Sequence, residues 1–234
     1  RMSRGLGDVY KRQSKYINNE HELAIDERKV HMEENMIITI SRQYGSGGSQ
    51  VAKILAERMG VWCYDRDILT IAAERIGNEE LTEDTINDLN YKRNDVASAG
   101  ITGVMGMGNI PIYNQMFLEQ AKIIRKLANY GSAVFLGRCA DYILKDIKNC
   151  TSVYLYADRE FRKNRVKEIY GSNAEIMDKE EKNRADYYNY YTGNRWGDIN
   201  NYDFAINTSK VSFEEAADLI YRFAKDKQKN LKDR

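Results

Sequence analysis

The sequence predicts an α/β fold with a parallel five-stranded sheet and helices on both faces. Three observations support this prediction. Five short apolar runs rich in β-branched and aromatic residues recur along the chain. Segments with apolar residues at helical spacing separate them. Strands that alternate with helices pair in parallel, because each helical crossover returns the chain to the same end of the sheet. The predicted strands are Met36–Ile40, Val61–Asp65, Ser132–Leu136, Ser152–Tyr156 and Phe204–Asn207.

The composition limits the classes of function. The 234 residues suffice for one substantial core with insertions. Lys and Arg number 36 against 35 Asp and Glu, so the net charge of +1 indicates no polyanionic partner, and nucleic acid is not expected. Three cysteines without metal-binding spacing suggest reduced thiols in the cytoplasm. No apolar run approaches the roughly 20 residues of a membrane span. We therefore expect a cytoplasmic protein without membrane association or an evident obligate protein partner.

Residues 1–35 differ from the rest of the chain. They are polar and lack both a sustained apolar period and the apolar segment of a signal peptide. We expect a leader outside the fold, which is either a non-native extension before a start at Met32 or Met36, or a flexible tail. Both histidines, His21 and His31, fall here, so catalysis by a histidine base in the core is not expected.

The first predicted strand runs through a glycine-rich turn into an amphipathic helix that ends near Gly60. This arrangement directs backbone N–H groups and a helix N-terminus at one point, which favours phosphate. The turn resembles the phosphate-loop pattern G-x-x-x-x-G-K-[ST], with Arg42 in place of the first glycine and Gly48 in place of the lysine. The alternative is a turn that is merely permissive. The predicted phosphate-binding residues are Tyr44, Gly45, Ser46, Gly47, Gly48 and Ser49, with Ser49 also offering a hydroxyl to Mg²⁺.

The positive charge of the missing lysine has to come from elsewhere in the chain. Arg42 is one candidate and Arg138 is another, because Arg138 follows the third predicted strand and faces the same crevice as the loop. Its planar guanidinium suits phosphate. The alternative role for Arg138 is a salt bridge at a helix start.

Two aspartates are candidate ligands. Asp65 ends the second predicted strand and either contacts a nucleotide or a metal-bound water, or caps the helix predicted over Arg66–Ile76. Asp141 lies in the helix predicted from Ala140 to about Ile147. The sequence leaves both alternatives open for Asp65.

The segment between the fourth and fifth strands is rich in charged and aromatic residues. Arg165 lies in its first helix, and Arg184 and Arg195 flank a run of tyrosines. Arginines next to aromatic rings suit single-stranded nucleic acid, although the balanced net charge argues against that use. The other interpretation is a solvated charged face.

Several separate phrases occur in the order known from one family. They are ITISRQYGSGG at Ile38–Gly48, FLGRCADYIL at Phe135–Leu144, RADYYNYYTGNRWGD at Arg184–Asp198 and YDFAINTS at Tyr202–Ser209. On these phrases the chain resembles the cytidylate kinase-like family of nucleoside monophosphate kinases, over about residues 36–225. The resemblance implies a three-layer P-loop NTPase fold over 36–228, with an acceptor-binding insert at 66–112 and a lid at 158–198.

The same resemblance implies a function and assigns roles. It implies ATP-dependent, Mg²⁺-assisted phosphorylation of a nucleoside monophosphate, CMP or dCMP above all. Arg138 would hold the acceptor phosphate, and Asp141 would replace the aspartate that true cytidylate kinases carry where Cys139 stands. The implied lid arginines are Arg165, Arg184 and Arg195, and the loop Asn94–Asn109 would close over the acceptor base. The lost lysine favours an alternative, a nucleotide-binding regulatory protein without kinase turnover.

Overall fold

The predicted parallel sheet is confirmed by the computed structural model of the protein, which describes residues 35–77, 112–171 and 174–233. All strand pairs in these ranges are parallel, and the strand order is β2-β3-β1-β4-β5. The register aligns Ile37 of β1 with Ala133 of β3 and with Cys150 of β4. The strands are β1 (Ile37–Arg42), β2 (Trp62–Tyr64), β3 (Ala133–Leu136), β4 (Cys150–Tyr156) and β5 (Phe204–Asn207).

Helices connect these strands and begin and end largely where local signals predict. Gly60 ends the first helix with φ 64°, and Ser212 forms a reciprocal capping box with Glu215 at the start of the last. The helices are α1 (Gly48–Met59), α2 (Asp67–Ile76), α3 (Ile112–Tyr130), α4 (Ala140–Ile143), α5 (Arg159–Tyr170), α6 (Ala174–Thr192) and α7 (Phe213–Lys232), with a 3-10 turn at Ile199–Asn201.

Several boundaries differ from the sequence prediction, and β1, for example, runs over Ile37–Arg42 rather than Met36–Ile40. Helix α4 ends at Ile143 rather than near Ile147, because the chain has to turn into β4, which starts at Cys150 instead of Ser152. The charged and aromatic run also proves to be one 19-residue helix, α6. The predicted helix Glu80–Lys92, the loop Asn94–Asn109 and residues 1–34 lie outside the described residues.

The core lies on both sides of β1, whose six residues are all buried. Ile38 and Ile40 pack with Val51 and Leu55 of α1 and with Ile220 of α7. Because side chains alternate along a strand, Ile37, Thr39 and Ser41 face the opposite layer, where α2 packs against α3 and α4 packs against β1. The sheet is thus covered by helices on both faces, as the sequence predicts.

This topology determines where a ligand can bind. From β1 the chain builds β2 and β3 on one side of the sheet and β4 and β5 on the other. The crevice therefore opens beyond the carboxyl end of β1, where parallel α/β sheets bind their ligands. Among the helices of the described ranges, none has the length and apolar character needed to cross a membrane.

Candidate functional site

The loop between β1 and α1 depends on glycine at two positions. Gly45 and Gly47 have φ angles of 82° and 81°. A Cβ on Gly47 would lie 2.4 Å from the Phe213 ring, and one on Gly45 would lie 2.9 Å from the Arg162 carbonyl oxygen. Gly47 is the N-cap of α1, where no side chain forms a capping hydrogen bond. The first turn of this helix contains no acidic residue. The N–H groups of this turn are therefore available to an anion.

This loop forms one wall of a cavity of about 200 Å³, which we call the loop cavity. The opposite wall comes from α5 and α6. Four basic side chains contribute to the lining, so the cavity suits an anionic ligand. The lining residues are Arg42, Gln43, Tyr44, Gly45, Gly47, Gly48, Ser49, Gln50, Lys53, Arg165, Ile169, Tyr170 and Arg184. Ser46, the remaining predicted loop residue, is fully buried beneath them.

The two departures from the phosphate-loop pattern are sterically linked. A Cβ on Gly48 would lie 2.7 Å from Cβ and 2.6 Å from Cγ of Arg42. Real Cβ contacts are longer, because carbon atoms attract only at about 3.5–4.0 Å. The stem of Arg42 thus fills the space above the backbone at Gly48. An arginine at the first position of the pattern requires a glycine at the seventh.

Arg42 is held in place from two sides. Its side chain is nearly buried, and its Nη2 lies 3.6 Å from Oδ1 of Asp65. Its carbonyl oxygen accepts a hydrogen bond of 3.1 Å from Nη1 of Arg184. Asp65 therefore orients Arg42, and the N-cap position of α2 is taken by Arg66 instead. The capping alternative for Asp65 is therefore wrong, and its contact with a nucleotide or a metal-bound water stays a prediction.

Arg138 sits on an unusual turn at the carboxyl end of β3. Gly137, Arg138 and Cys139 have φ angles of 73°, 60° and 54°. Left-handed conformation is uncommon for non-glycine residues and persists where the surrounding structure enforces it, often at functional sites. The turn directs the Arg138 side chain inward, where only 2% of the residue is exposed.

Arg138 lines a second, smaller cavity at the strand ends, which we call the strand-end cavity. Its volume is about 20 Å³. Arg42 and Arg184 line this cavity as well as the loop cavity, so the two cavities share a wall. Two ligands bound in them would meet at these two guanidinium groups. The other lining residues are Ser41, Gly137, Cys139, Tyr187, Tyr188 and Trp196.

Asp141 lies behind the strand-end cavity and does not line it. Its carboxylate accepts hydrogen bonds from the Tyr188 hydroxyl at 2.6 Å and from the Ser41 hydroxyl at 3.5 Å. Burial raises the pKa of Asp141 to about 6, against the lowering effect of these hydrogen bonds. Asp141 therefore positions two residues of the cavity wall.

The backbone of Tyr44 forms hydrogen bonds with both helices of the predicted lid, α5 and α6. Its N–H donates to Oε2 of Glu181 at 2.7 Å, and its carbonyl oxygen accepts from Nη1 of Arg162 at 3.4 Å. Arg162 and Glu181 lie 3.6 Å apart and are largely buried. Burial raises the pKa of Glu181, against the lowering effect of the Tyr44 N–H and of Arg162. The sequence places Arg162 near the loop side of its helix without assigning it a role, and it does not single out Glu181, because nothing local signals a contact with a loop more than 100 residues away.

Besides Arg184, the predicted lid arginines are Arg165 and Arg195, and these two differ in position. Arg165 lines the loop cavity, donates to the side chain of Gln50, and lies over the Phe213 ring at 4.8 Å. Burial lowers its pKa. Arg195 is exposed and is not among the residues that line either cavity. The described structure thus brings together Arg42, Arg138, Arg165 and Arg184, but not Arg195.

Thr208 supports the loop from below. Its hydroxyl is buried and donates to the carbonyl oxygen of Ser46 at 2.7 Å, while its backbone N–H donates to Tyr156 at 2.8 Å. The Ser46 hydroxyl donates to the Gln43 carbonyl oxygen at 2.9 Å. These bonds hold the buried middle of the loop in place.

The residues present fit a magnesium ion that arrives with phosphate groups. No cluster of three or more metal-ligating side chains occurs within residues 35–77, 112–171 and 174–233. Mg²⁺ in phosphate sites typically takes one or two protein ligands and completes its shell with phosphate oxygens and water. Ser49 is exposed at the loop cavity and offers a hydroxyl of this kind.

Comparisons with known proteins agree with this geometry. A model of the cytidylate kinase-like family matches residues 37–210. A crystal structure of an uncharacterized protein from Eubacterium ventriosum is 30% identical, with 81% of this chain and 98% of that chain covered and a TM-score of 0.60.

Two more distant structures are also similar to the chain. Shikimate kinase from Acinetobacter baumannii is 14% identical, covering 84% of this chain and 96% of its own, with a TM-score of 0.44. A gluconokinase from Sinorhizobium meliloti is 15% identical, covering 82% and 95%, with a TM-score of 0.47. Among curated proteins, none matches the chain.

The sheet order, the glycine-rich loop and the matched span lead to one assignment. The family model covers more than half of the chain and includes the loop, the Arg138 turn and the helix that carries Arg184. The fold is the α/β architecture that the resemblance implied, a parallel five-stranded sheet with helices on both faces. The chain belongs to the cytidylate kinase-like family.

Proposed function

We propose that this protein transfers the terminal phosphoryl group of ATP to a nucleoside monophosphate, with CMP or dCMP as the favoured acceptor. The observation that supports the proposal is the pair of cavities that share Arg42 and Arg184. A donor on the loop and an acceptor at the strand ends would approach each other at these guanidinium groups. In-line phosphoryl transfer needs this kind of positioning and charge neutralisation more than covalent chemistry.

On the donor side, the N–H groups of Gly45, Gly47, Gly48 and Ser49 would hold the β-phosphate, in the way that helix N-termini bind anions, while the Ser46 N–H donates to the Gln43 carbonyl oxygen. Ser49 would offer its hydroxyl to Mg²⁺, which when bound neutralises charge on the β- and γ-phosphates. Arg42, fixed by Asp65, would supply part of the charge of the missing lysine. Arg165 and Arg184 would contact the donor from the opposite wall.

On the acceptor side, Arg138 would bind the monophosphate, because a buried guanidinium binds phosphate through two parallel hydrogen bonds. Tyr187 and Trp196 offer aromatic surface to the base. The cavity of about 20 Å³ is too small for a nucleotide, so binding requires movement of its wall. Much of that wall belongs to the proposed lid at 158–198, and we propose that the insert at 66–112 completes the acceptor site.

The lining of the strand-end cavity favours a phosphate over a hydroxyl acceptor. A hydroxyl nucleophile gains from a carboxylate base within hydrogen-bonding reach. No carboxylate lines this cavity among the described residues, and Asp141 is engaged behind Tyr188. A phosphate is already anionic and needs no base, and three arginines of the lining match its charge.

The test is a coupled ADP-release assay with ATP, Mg²⁺ and a panel of CMP, dCMP, UMP, AMP and GMP, with gluconate as a hydroxyl acceptor. We expect turnover with the pyrimidine monophosphates. Arg138→Ala should abolish acceptor-dependent turnover and leave ATP binding, measured by calorimetry, within about twofold. Arg222→Ala, an exposed arginine on α7, is the control for a lost charge. Unchanged turnover in Arg138→Ala would remove its assigned role, and turnover with gluconate alone would overturn the substrate class.

A second function is favoured by one observation, the glycine at the lysine position. In that case the protein binds nucleotides as a regulator and does not phosphorylate any of them. ATP binding without ADP release for every acceptor in the panel would support this function over the first. Under either function we propose a cytoplasmic location, because the cysteines Cys63, Cys139 and Cys150 are free thiols and ATP is abundant there.

A further inference from the structure

A phosphate loop usually carries a lysine at the seventh position of its pattern, but the side chain of a lysine would have no room there in this protein. Any side chain at Gly48 would collide with the Cβ and Cγ of Arg42. Arg42 itself is turned toward Asp65, with its Nη2 3.6 Å from that carboxylate, and only 7% of the residue is exposed. A cation on the α1 side of the loop cavity would therefore supply a charge that neither Gly48 nor Arg42 can place there.

Lys53 lies on the same face of α1 as Ser49, one helical turn further along. Residues at positions i and i+4 of a helix are neighbours on its surface, about 6 Å apart along the axis. Helical side chains lean toward the N-terminus of their helix. The long stem of Lys53 can therefore carry its ammonium group back toward the Ser49 hydroxyl. Both residues are exposed and both line the loop cavity.

The other cations of this cavity already have partners. Arg165 donates to the side chain of Gln50, and Arg184 donates to the carbonyl oxygen of Arg42. Lys53, in contrast, forms no hydrogen bond or ion pair with any residue of the described ranges. It can turn to a bound phosphate without breaking a contact that the fold depends on.

We propose that Lys53 takes the place of the missing loop lysine and binds the terminal phosphates of the nucleotide donor, an inference that rests on the proposed function. An ammonium group is a compact charge with three donors that rotate freely, so it does not require the fixed geometry of a guanidinium. The negative charge of the phosphates is then balanced by two cations, the buried Arg42 of the loop and the exposed Lys53 of α1.

The test is calorimetric titration of Lys53→Met and Lys53→Arg with ATP, ADP and inorganic tripolyphosphate, each with Mg²⁺. A hydrogen bond to a charged group is worth about 1.5–3 kcal/mol, so Lys53→Met should weaken ATP and tripolyphosphate binding about 10- to 100-fold. ADP should lose less, and Lys53→Arg should retain most of the affinity. Lys122→Met is the matched control, because Lys122 is an exposed lysine of α3 outside both cavities.

Each outcome decides the assignment. Equal affinities in Lys53→Met and Lys122→Met would overturn it. A selective loss of triphosphate binding in Lys53→Met would support it, even if the wild-type protein phosphorylates no acceptor and the proposed function fails. A wild-type protein that binds neither ATP nor tripolyphosphate would overturn both.

Discussion

Replacing Gly48 with alanine tests the steric link between the two unusual loop positions. The new methyl group would lie 2.6 Å from Cγ and 2.7 Å from Cβ of Arg42. Arg42 cannot swing aside freely, because its side chain is paired with Asp65 and its carbonyl oxygen accepts from Arg184. Overpacking of this kind costs about 1–3 kcal/mol, while alanine in place of glycine in a helix gains about 0.5–1 kcal/mol. We expect a net loss of stability of about 1 kcal/mol.

The assay is urea unfolding at equilibrium, with Gly131→Ala as the matched control. Gly131 does not have a positive φ, and a Cβ there would meet no heavy atom within 4 Å. Gly131→Ala should therefore be neutral or stabilise by up to about 1 kcal/mol. The same glycine-to-alanine change at Gly48 should have the opposite sign.

A double-mutant cycle with Arg42→Gly isolates the contact. Without the Arg42 side chain, Gly48→Ala has nothing to collide with and should no longer destabilise the protein. We expect a coupling of about 1 kcal/mol or more between the two changes. The steric reasoning would be refuted if Gly48→Ala matched Gly131→Ala and the cycle showed no coupling beyond about 0.5 kcal/mol.

Three further predictions concern the supports of the site. Burial raises the pKa of Asp141 from 3.8 to about 6. Between these values the folded state keeps a proton that the unfolded chain loses, so the free energy of unfolding of the wild type falls as pH rises from about 4 to 6. Asp141→Asn should remove up to about 3 kcal/mol of that loss, and parallel pH curves for the two proteins would contradict this. Thr208→Val should lower the free energy of unfolding by about 1 kcal/mol, because it removes the buried hydrogen bond to Ser46, whereas Thr208→Ser should not; urea unfolding compares them. Arg162→Met removes the cation that pairs with the Glu181 carboxylate, which keeps its hydrogen bond from the Tyr44 N–H, and should cost about 3 kcal/mol. A second change, Glu181→Gln, should restore a part of this cost, and no restoration would mean that the pair is not coupled.

The local features of the chain were predictable from the sequence. The end of the first helix at Gly60 is confirmed, and the sequence pattern S-x-x-E also predicts the capping box that Ser212 and Glu215 form. The parallel sheet follows from the alternation of strand and helix patterns, and the loop follows from glycines placed between a strand and a helix. These signals are short-range, so the sequence displays them directly.

The arrangement of the site needed the folded chain. Arg184 reaches the carbonyl oxygen of Arg42 across 142 positions, and Glu181 reaches the N–H of Tyr44 across 137. The sequence named Arg195 beside Arg184, yet the described structure leaves Arg195 exposed and away from both cavities. Spacing along α6 and the turn after it cannot tell which arginine faces the loop, because that depends on how the helix packs.

By itself, the sequence determined the fold class, the family and the position of the glycine-rich loop between β1 and α1, because each shows in short stretches of sequence. Only the tertiary structure decided that β3 lies between β1 and β2, that Asp65 pairs with Arg42 rather than capping a helix, and that Arg42 fills the space above Gly48. These outcomes depend on which distant surfaces come into contact when the sheet closes. Close packing leaves one arrangement of such side chains, and no local pattern encodes it.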